Sequence, residues 1–297
     1  MRWSWLARYA CMATAAPVAW PSNWSSPVVP LSNIQIDILR VIAERRNPES
    51  YVAGATPFNR DTPRFSQDID LFNDREERVA QAAEGDSEAL QAAGYAVIWL
   101  RRLPAIYTAN ITRDGAGTRL EWVVDSDYRF FPTMKDEVFG FVLHPVDLAI
   151  NKVMAAVGRR EVRDIADLAM IDDKILPLGA LIWAAVEKSP GFTPEGLIAE
   201  IRRNLHHSKA EWDSLEFSAP VDPKSVLDRV RAALDRAEEF VVRMPTAKLG
   251  LLFLHDGEVV QPDPDRVDDY VTHAGRRGGQ WPSDPSVQRA MLERYTG

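Results

Sequence analysis

The sequence predicts an α/β (α+β) protein, in which a mixed sheet with flanking helices is followed by a mainly helical C-terminal part. Short runs of alternating or β-branched apolar residues fill the first half, and Asp114-Gly115 is typical of a two-residue hairpin turn. After His144-Pro145 the apolar residues recur at helical spacing. We therefore expect a poorly ordered N-terminal extension at residues 1–31, an α/β core at residues 32–144 and a helical domain at residues 145–297.

The α/β half should begin with a helix that Ser32 caps and that extends to Arg46, because apolar residues recur on one of its faces. Thr56-Pro57 suits the start of a second helix, with threonine as the N-cap and proline at the first helical position. A third helix is expected at residues 75–93 and should end at Gly94. The predicted strands are residues 51–54, 68–72, 95–101, 105–113, 118–124 and 139–143.

The C-terminal half should be mainly helical, and Gly158-Arg159-Arg160 should join its first two helices. A hairpin around Asp256-Gly257 is expected at residues 249–260. Residues 261–285 are rich in Pro, Asp, Gly and Arg and are expected to form a loop. The predicted helices are residues 146–158, 161–175, 178–188, 194–205 and 223–241.

The composition limits the classes of function. The chain has 297 residues, a net charge of -8 and one cysteine. The acidic balance disfavours binding to nucleic acid or anionic membranes by bulk charge, although it allows a local basic groove. A single cysteine permits neither an intramolecular disulfide nor a cysteine zinc site, so we expect a reducing, cytoplasmic setting. The sequence has no run of about 20 apolar residues, so we expect no membrane partner.

The first 30 residues are unusual because four tryptophans crowd them. Arg2 and Arg8 precede a mostly apolar run at residues 10–20, which faintly resembles a signal peptide. Thr14 and Pro17 interrupt that run. We therefore favour an N-terminal extension over a signal peptide.

Asp68 and Asp70 should lie close together on one face of a strand, because they are two residues apart. Two such carboxylates repel each other unless a cation lies between them. Mg²⁺ prefers hard oxygen ligands and commonly combines one or two carboxylates with substrate phosphates. The pair therefore fits either a metal that bridges protein and nucleotide or two solvated acids on an edge strand. The apolar neighbours Ile69, Leu71 and Phe72 favour a buried strand, where acids need a functional reason.

A strand that ends at Gly54 and leads into a helix at Ala55-Thr56 can bind phosphate. Backbone N–H groups at such a turn bind anions, and the N-terminus of a helix favours negative charge. The Thr56 hydroxyl can add a contact, and Ser66 can contact a phosphate or orient Asp68. The competing interpretation is a turn without a ligand.

Two-metal phosphoryl chemistry usually uses a third acid from a neighbouring strand. Glu121 would share a strand face with Arg119 and Val123, and Asp125 lies at the end of the same strand. We prefer Glu121 as the third metal ligand and keep Asp125 as the second candidate. Each is otherwise an ordinary solvated strand residue.

Lys152 lies in an amphipathic helix, and Asp164 and Asp167 share one face of the next helix. A lysine in a cleft can hold a triphosphate, while acids can fix that lysine or activate an attacking hydroxyl. The spacing is also typical of a salt-bridged helical hairpin. Five arginines could give RNA a local basic surface, or could be solvated helix residues. They are Arg159, Arg160, Arg163, Arg202 and Arg203.

Four motifs follow one another in the chain. They are Tyr51-Val52-Ala53-Gly54-Ala55-Thr56, Arg64-x-Ser66-x-Asp68-Ile69-Asp70-Leu71-Phe72, Asp147-Leu148-x-x-x-Lys152-x-x-Ala155 and Arg159-Arg160-x-x-Arg163-Asp164-x-x-Asp167-Leu168. In order and spacing they resemble the AbiEii/AbiGii-type toxin nucleotidyltransferases of the polymerase-beta-like nucleotidyltransferase superfamily. The resemblance covers residues 34–175.

The resemblance implies the nucleotidyltransferase fold and an enzyme that uses an NTP with Mg²⁺ or Mn²⁺. Relatives act in toxin–antitoxin or phage-defence systems, and some add nucleotides to the tRNA 3′ end, so RNA and a cognate antitoxin are the implied partners. The implied site residues are Asp68 and Asp70 as metal ligands, Ser66 as a nucleotide contact, Lys152 as the phosphate-binding lysine, and Asp167 with Asp164 beside it as acids of the second helix.

The chain departs from the family at Gly54-Ala55, where Gly-Gly or Gly-Ser is usual, and Pro57 removes a backbone donor. Both departures weaken phosphate binding by this turn. Two other functions fit the same residues: a small-molecule nucleotidyltransferase of the antibiotic-modifying kind, and a non-catalytic protein of this fold that binds a nucleotide or a partner. The intact Asp68, Asp70 and Lys152 favour catalysis.

Overall fold

The computed structural model describes residues 31–60 and 62–295, so nearly all of the expected N-terminal extension lies outside the described residues. The strands are β1 (Ser50–Ala53), β2 (Asp68–Asn73), β3 (Ala96–Leu103), β4 (Ile106–Arg113), β5 (Ala116–Val124), β6 (Tyr128–Arg129), β7 (Met134–Asp136), β8 (Gly140–Val142), β9 (Leu252–His255), β10 (Glu258–Val260), β11 (Val271–His273) and β12 (Arg276–Arg277). The helices are α1 (Asn33–Ile42), α2 (Ala55–Asn59), α3 (Glu76–Ala92), α4 (Pro145–Gly158), α5 (Val162–Lys174), α6 (Leu178–Ala185), α7 (Pro194–Arg203), α8 (Lys209–Asp213), α9 (Pro223–Arg243) and α10 (Pro285–Tyr295). Short 3₁₀ turns occupy Ala43–Arg45, Val186–Lys188, Thr246–Lys248 and Pro264–Asp269.

A seven-stranded mixed sheet forms the first half, with the strand order β3-β4-β5-β2-β1-β8-β7. β2 runs parallel to β5 and β1 runs parallel to β8, whereas the other neighbours are antiparallel. Helices α1 and α3 pack on one face, where Ile69, Leu71 and Trp122 are fully buried. The predicted mixed sheet with flanking helices is therefore confirmed.

Local sequence signals predicted several element ends correctly. Ser32 caps α1, and Gln35 completes a capping box by accepting a hydrogen bond from the Ser32 backbone at 2.9 Å. Asp114 and Gly115 adopt φ values of 53° and 81°, as a two-residue hairpin turn between β4 and β5 requires. α3 ends before Gly94, which has a φ of 85°.

The start of α2 corrects one prediction. The helix begins at Ala55, and its N-cap is Gly54 with a φ of 67° and a ψ of -141°, rather than Thr56. The Thr56 side chain is fully buried, and its hydroxyl donates to the Asp68 carbonyl at 2.8 Å. Pro57 is therefore the third residue of the helix, two positions later in it than expected.

The segment 261–285 is not the loop that we expected, because two short strands lie in it. β11 joins β9 and β10 in a three-stranded sheet, and β12 pairs with β6. His273 Nε2 lies 2.8 Å from the Phe130 carbonyl oxygen, and its ring stacks on Phe131 at 4.6 Å. The C-terminal residues thus return to the α/β half, and the division of the chain into domains at residue 144 stays a prediction.

The helices that follow residue 144 pack around a second apolar core, and all eight residues of α6 are buried. The expected helical character of this half is confirmed, with α8 and α10 as additional helices. Within residues 31–60 and 62–295, no helix combines the length and the apolar character that a membrane crossing needs.

A buried ion pair stabilises the first core. Arg46 donates to both carboxylate oxygens of Asp86, at 2.6 and 2.5 Å, and both side chains are almost fully buried. Trp122 Nε1 donates to the same carboxylate at 2.8 Å, and Arg45 lies 3.3 Å away. Burial raises the pKa of Asp86, although Arg46 and Trp122 oppose this change. The pair joins the end of α1 to α3 and β5.

The substitution Arg46→Met should destabilise the protein by about 3 kcal/mol, because it leaves the Asp86 carboxylate buried without its main counter-ion. Urea unfolding monitored by circular dichroism measures this change. As the control, Arg75→Gln removes an exposed pair with Glu49 and should cost less than about 1 kcal/mol. Equal losses in the two variants would contradict the role given to the buried pair.

Candidate active site

The second face of the sheet carries the acidic residues of β2. Strand alternation directs Asp68 and Asp70 away from the core that α1 and α3 cover. In the parallel pairing of β2 with β5, Asp68 lies opposite Arg119 and Asp70 lies opposite Glu121. These four side chains line a cleft of about 380 Å³, and Phe72 continues the same face.

Helices α4 and α5 form the opposite wall of the cleft. Lys152 is almost fully buried, and its Nζ atom lies 2.7 Å from Asp167 Oδ2 and 3.6 Å from Asp164 Oδ1. Arg159 Nε donates to Asp164 at 2.7 Å. The lysine and the two acids that the sequence singled out are therefore in contact, and Lys152 lines the cleft together with the acids of the sheet.

Arg64 completes this cluster, although the sequence alone gave it no role. Its guanidinium donates to both oxygens of Asp167, at 2.7 and 2.9 Å. Burial opposes ionisation of Asp167, but Arg64 and Lys152 outweigh it and hold the pKa of that carboxyl below its usual range. Arg64 is the first residue of the motif that contains Asp68 and Asp70, and this position was the available sequence signal for a role in the site. Asp167 is thus a charged group that fixes Lys152 in position.

Asp70 differs from the other acids of the cleft because no described residue donates a hydrogen bond to its carboxylate or forms an ion pair with it. Burial, with the charges of Asp68 and Glu121, raises its pKa to about 7. The charges of Lys152 and Arg163 counteract this rise in the pKa only in part. The carboxylate is therefore crowded by like charges, and a bound cation would relieve that repulsion.

Asp68 already has cationic neighbours. Arg119 Nη2 donates to Asp68 Oδ2 at 2.7 Å, and Arg163 Nη1 lies 3.7 Å from the same oxygen. Arg119 Nε also lies 3.2 Å from Glu121 Oε1. As the side chains stand, no three metal-binding residues in the described ranges come close enough together to chelate an ion. The hard oxygens of Asp68 and Asp70 on one strand face fit a magnesium ion that takes its remaining ligands from substrate.

The two candidates for the third carboxylate occupy different places. Glu121 lies directly opposite Asp70 and lines the cleft. Asp125 follows β5, and its backbone N–H donates to the Asn73 carbonyl. Burial raises the pKa of Asp125, although the charge of Lys188 opposes this rise. The geometry favours Glu121 over Asp125, because Glu121 lines the cleft opposite Asp70, and its role as a metal ligand stays a prediction.

The turn before α2 approaches Asp70 very closely. A Cβ atom on Gly54 would lie 1.9 Å from Asp70 Oδ2, and the positive φ at this position also favours glycine. Ala55 lines the cleft beside it. The Ser66 hydroxyl is turned inward and donates to the Asp68 carbonyl at 2.8 Å, as does that of Thr56. Thr56 and Ser66 thus hold the backbone of the acidic strand, and nucleotide contacts by Gly54, Ala55, Thr56 and Ser66 stay predictions.

The five arginines considered as a basic surface each lie beside a carboxylate. Arg159, Arg160 and Arg163 contact Asp164, Glu211 and Asp68, respectively. Arg202 and Arg203 contact acids of α9 and α7. The acids offset this positive charge, so these arginines do not form a separate cationic surface. Arg159 and Arg163 do line the cleft.

Larger cavities lie elsewhere among the described residues. One, of about 490 Å³, has mostly apolar walls, including Phe58 and Phe139, and another, of about 650 Å³, lies beside Trp281. The acid common to both, Asp136, is already paired with Arg60 at 2.7 Å. The smaller cleft is the one that combines clustered acids with a buried lysine, so it is the candidate active site.

Comparison with protein-family models and with curated proteins finds no match for the sequence. Among solved structures, MenT4, a nucleotidyltransferase toxin from Mycobacterium tuberculosis, aligns with 69% of this chain and 82% of its own, at 14% identity and a TM-score of 0.50. A putative nucleotidyltransferase from H. pylori aligns with 69% of this chain and 92% of its own, at 10% identity and a TM-score of 0.39. Cid1, whose structure is described in connection with its RNA terminal uridylyl transferase activity, aligns with 71% of this chain and 90% of its own, at 13% identity and a TM-score of 0.26.

The alignment with MenT4 has the highest TM-score of the three and includes most of both chains. The chain has the nucleotidyltransferase fold. This confirms the predicted fold class. The similarity at 14% identity concerns the fold alone, so the roles of the cleft residues in this nucleotidyltransferase fold rest on their own geometry.

The substitution Gly54→Ala should disturb the acidic strand of this nucleotidyltransferase fold, because the added methyl group would collide with Asp70 and the backbone would be strained. We expect a loss of about 1–3 kcal/mol in unfolding free energy, measured by urea denaturation. Gly94→Ala is the matched control, since Gly94 has a positive φ but an added Cβ meets no atom within 4 Å. A Gly54→Ala variant no less stable than the control would contradict the close contact.

The raised pKa of Asp70 predicts a pH-dependent effect of Asp70→Asn. Between about pH 4 and pH 7 the folded protein keeps a proton on Asp70 that the unfolded chain releases, so stability falls as the pH rises through this range. Asparagine cannot ionise, so the variant does not lose this stability as the pH rises. At pH 8 in EDTA, Asp70→Asn should therefore melt at least about 3 °C above the parent protein, and the difference should vanish near pH 4.

Thermal unfolding across this pH range, monitored by circular dichroism, measures the difference. Asp37→Asn, at an exposed acid of α1 that pairs with Arg113, is the control and should show no such trend. A lower melting temperature for Asp70→Asn at pH 8 would mean that Asp70 is not crowded by like charges.

Proposed function

We propose that the chain is a metal-dependent nucleotidyltransferase that transfers a nucleotide from an NTP to an acceptor hydroxyl. The observation that carries the proposal is the convergence of two distant parts of the chain at one cleft. Asp68 and Asp70 come from β2, while Lys152 comes from α4 and is held by Asp167 of α5. Clustered acids opposite a fixed cation are what phosphoryl transfer with a metal requires.

Asp68 and Asp70 would hold Mg²⁺ or Mn²⁺, with Glu121 beside them. When bound, the metal supplies neutralisation of phosphate charge and a lower pKa for the attacking hydroxyl. The crowded Asp70 carboxylate, with no cation in contact, supports this assignment. Two carboxylates with substrate oxygens are also a common ligand set for Mg²⁺.

The residues of the chain mainly position the reactants. Lys152 binds the phosphates as a point charge, and Asp167, which Arg64 holds, keeps the lysine in place. The backbone at Gly54 and Ala55 lies at the N-terminus of α2, on the side of Asp70. A bond forms between the acceptor oxygen and the α-phosphorus, the bond from that phosphorus to the bridging oxygen breaks, and pyrophosphate leaves. The hydroxyl proton passes to solvent through the carboxylates of the cleft.

The acceptor that we propose is RNA, at the 3′ end of tRNA, and the protein would act in the cytoplasm as a toxin of a toxin–antitoxin or phage-defence system. The AbiEii/AbiGii-like motifs support this, as does the likeness in fold to MenT4, a nucleotidyltransferase toxin. A cognate antitoxin would then be the protein partner. The experiment must distinguish this proposal from two alternatives, which are a small-molecule acceptor and a non-catalytic role.

Purified protein incubated with each labelled NTP, Mg²⁺ and total tRNA should label the tRNA, and Asp68→Ala should lower that labelling by at least about 100-fold. The loss is expected because Asp68 is a proposed metal ligand. Asp37→Ala, at an acid of α1 outside the cleft, is the matched control and should keep the activity. Gel electrophoresis of the labelled RNA measures the transfer.

The same incubation with an aminoglycoside panel in place of tRNA tests the antibiotic-modifying alternative. Labelled drug without labelled tRNA would overturn the RNA acceptor but keep the reaction. No transfer to any acceptor, together with measurable nucleotide binding, would favour the non-catalytic alternative. Growth arrest on expression of the protein, relieved by Asp68→Ala, would support the toxin role.

A further inference from the structure

Arg119 lies between two of the carboxylates assigned to the metal. Its Nη2 atom donates to Asp68 Oδ2 at 2.7 Å, and its Nε atom lies 3.2 Å from Glu121 Oε1. We propose that Arg119 is a positioning residue that acts as the counter-ion of the acidic site in the metal-free protein and is displaced when the metal binds. This inference rests on the proposed function, because it takes Asp68, Asp70 and Glu121 as the metal-binding acids.

The sheet register explains why an arginine in this position can bridge both acids. Arg119 is the partner of Asp68 across the parallel strands, and it precedes Glu121 by two residues on the same face of β5. The guanidinium presents its donors in a planar fork and stays charged at every relevant pH. One side chain can therefore neutralise an acid of its own strand and an acid of the neighbouring strand.

The carboxylate that Arg119 contacts is one of those assigned to the metal. Because a carboxylate oxygen cannot keep a short guanidinium contact and also accept a metal at full strength, the two cations compete for Asp68. Asp70 lies beside this pair and has no cationic contact among the described residues. Loss of Arg119 without a metal would leave the acids of β2 and β5 to repel one another.

Arg119 is also the cation that can leave. Its side chain is 44% exposed, whereas that of Arg163, the other cation near Asp68, is 25% exposed and has a buried Nε atom. Lys152 is 7% exposed and is held by Asp167. Arg119 can therefore turn toward solvent or toward the phosphates of a bound nucleotide without leaving a charge buried, which the other two cannot do as easily.

The experiment compares Mn²⁺ binding to the full-length protein and its Arg119→Gln variant without nucleotide, by isothermal titration calorimetry. We expect the variant to bind at least about tenfold more tightly, because it no longer has a competing cation. Arg119→Lys keeps the charge but cannot bridge both acids, so its affinity should lie between the two. Arg113→Gln is the matched control, because it removes a similarly exposed arginine of the neighbouring strand β4 that pairs with Asp37. This variant should bind Mn²⁺ with the affinity of the parent protein.

Thermal unfolding gives a second measurement. If Arg119 formed only a structural ion pair, its effect on the melting temperature would not depend on Mg²⁺. In EDTA, Arg119→Gln should melt below the parent protein, and saturating Mg²⁺ should restore most of the loss. In an Asp68→Asn background the same substitution should lower the melting temperature much less, because the more buried of the two acids that Arg119 contacts is gone. A loss that persists unchanged in Mg²⁺ would overturn the proposal and assign Arg119 to structural stability alone.

The binding results separate this inference from the proposed function. If the parent protein and Arg119→Gln bind Mn²⁺ with the same affinity, the metal-dependent function stands and the counter-ion role of Arg119 is wrong. If neither protein binds Mn²⁺ and no nucleotide is transferred, both are wrong. Tighter binding by Arg119→Gln, together with the intermediate affinity of Arg119→Lys, supports the inference.

Discussion

The charge balance on the floor of the cleft is the constraint on which the site depends. Parallel pairing of β2 with β5 brings Asp68, Asp70 and Glu121 to one face, and a one-residue slip of either strand would turn its acids into the apolar core. The fully buried Ile69 and Leu71 on the opposite face fix that register. The same alternation that builds the core therefore also gathers the acids, and their repulsion must be balanced by cations from elsewhere.

Arg119 of β5 supplies one of these cations, and the others come from the second half of the chain and from the segment before β2. Lys152 and Arg64 share the buried carboxylate of Asp167, so removal of Asp167 would take the shared counter-ion away from two buried cations. The Arg64 segment is itself held by backbone hydrogen bonds between Phe65 and Glu216 and between Pro63 and Ser218. The position of the phosphate-binding candidate thus depends on the docking of the helices against the sheet.

Sequence alone predicted the parts of the fold and site that depend on local signals. The hairpin at Asp114-Gly115, the cap at Ser32 and the shared strand face of Asp68 and Asp70 each follow from neighbouring residues. Short strands such as β11 and β12 escaped prediction, because two or three residues show no period and their partners lie far away in the chain. The roles of Arg64 and Arg119 escaped for the same reason. An arginine is recognised as a counter-ion only when the tertiary fold shows which carboxylate it meets.

The electrostatics also limit how this acidic protein could hold a polyanion. Arginines such as Arg160 and Arg202 are already paired with acids, and the whole chain carries a net charge of -8. Attraction over a broad surface is therefore weak, and an RNA or a nucleotide would have to gain its charge contacts inside the cleft. There Lys152, Arg119 and Arg163 line the cleft around the acids, and a bound metal would release Arg119 from Asp68. Metal and phosphate would then bind cooperatively, because each removes the charge that repels the other.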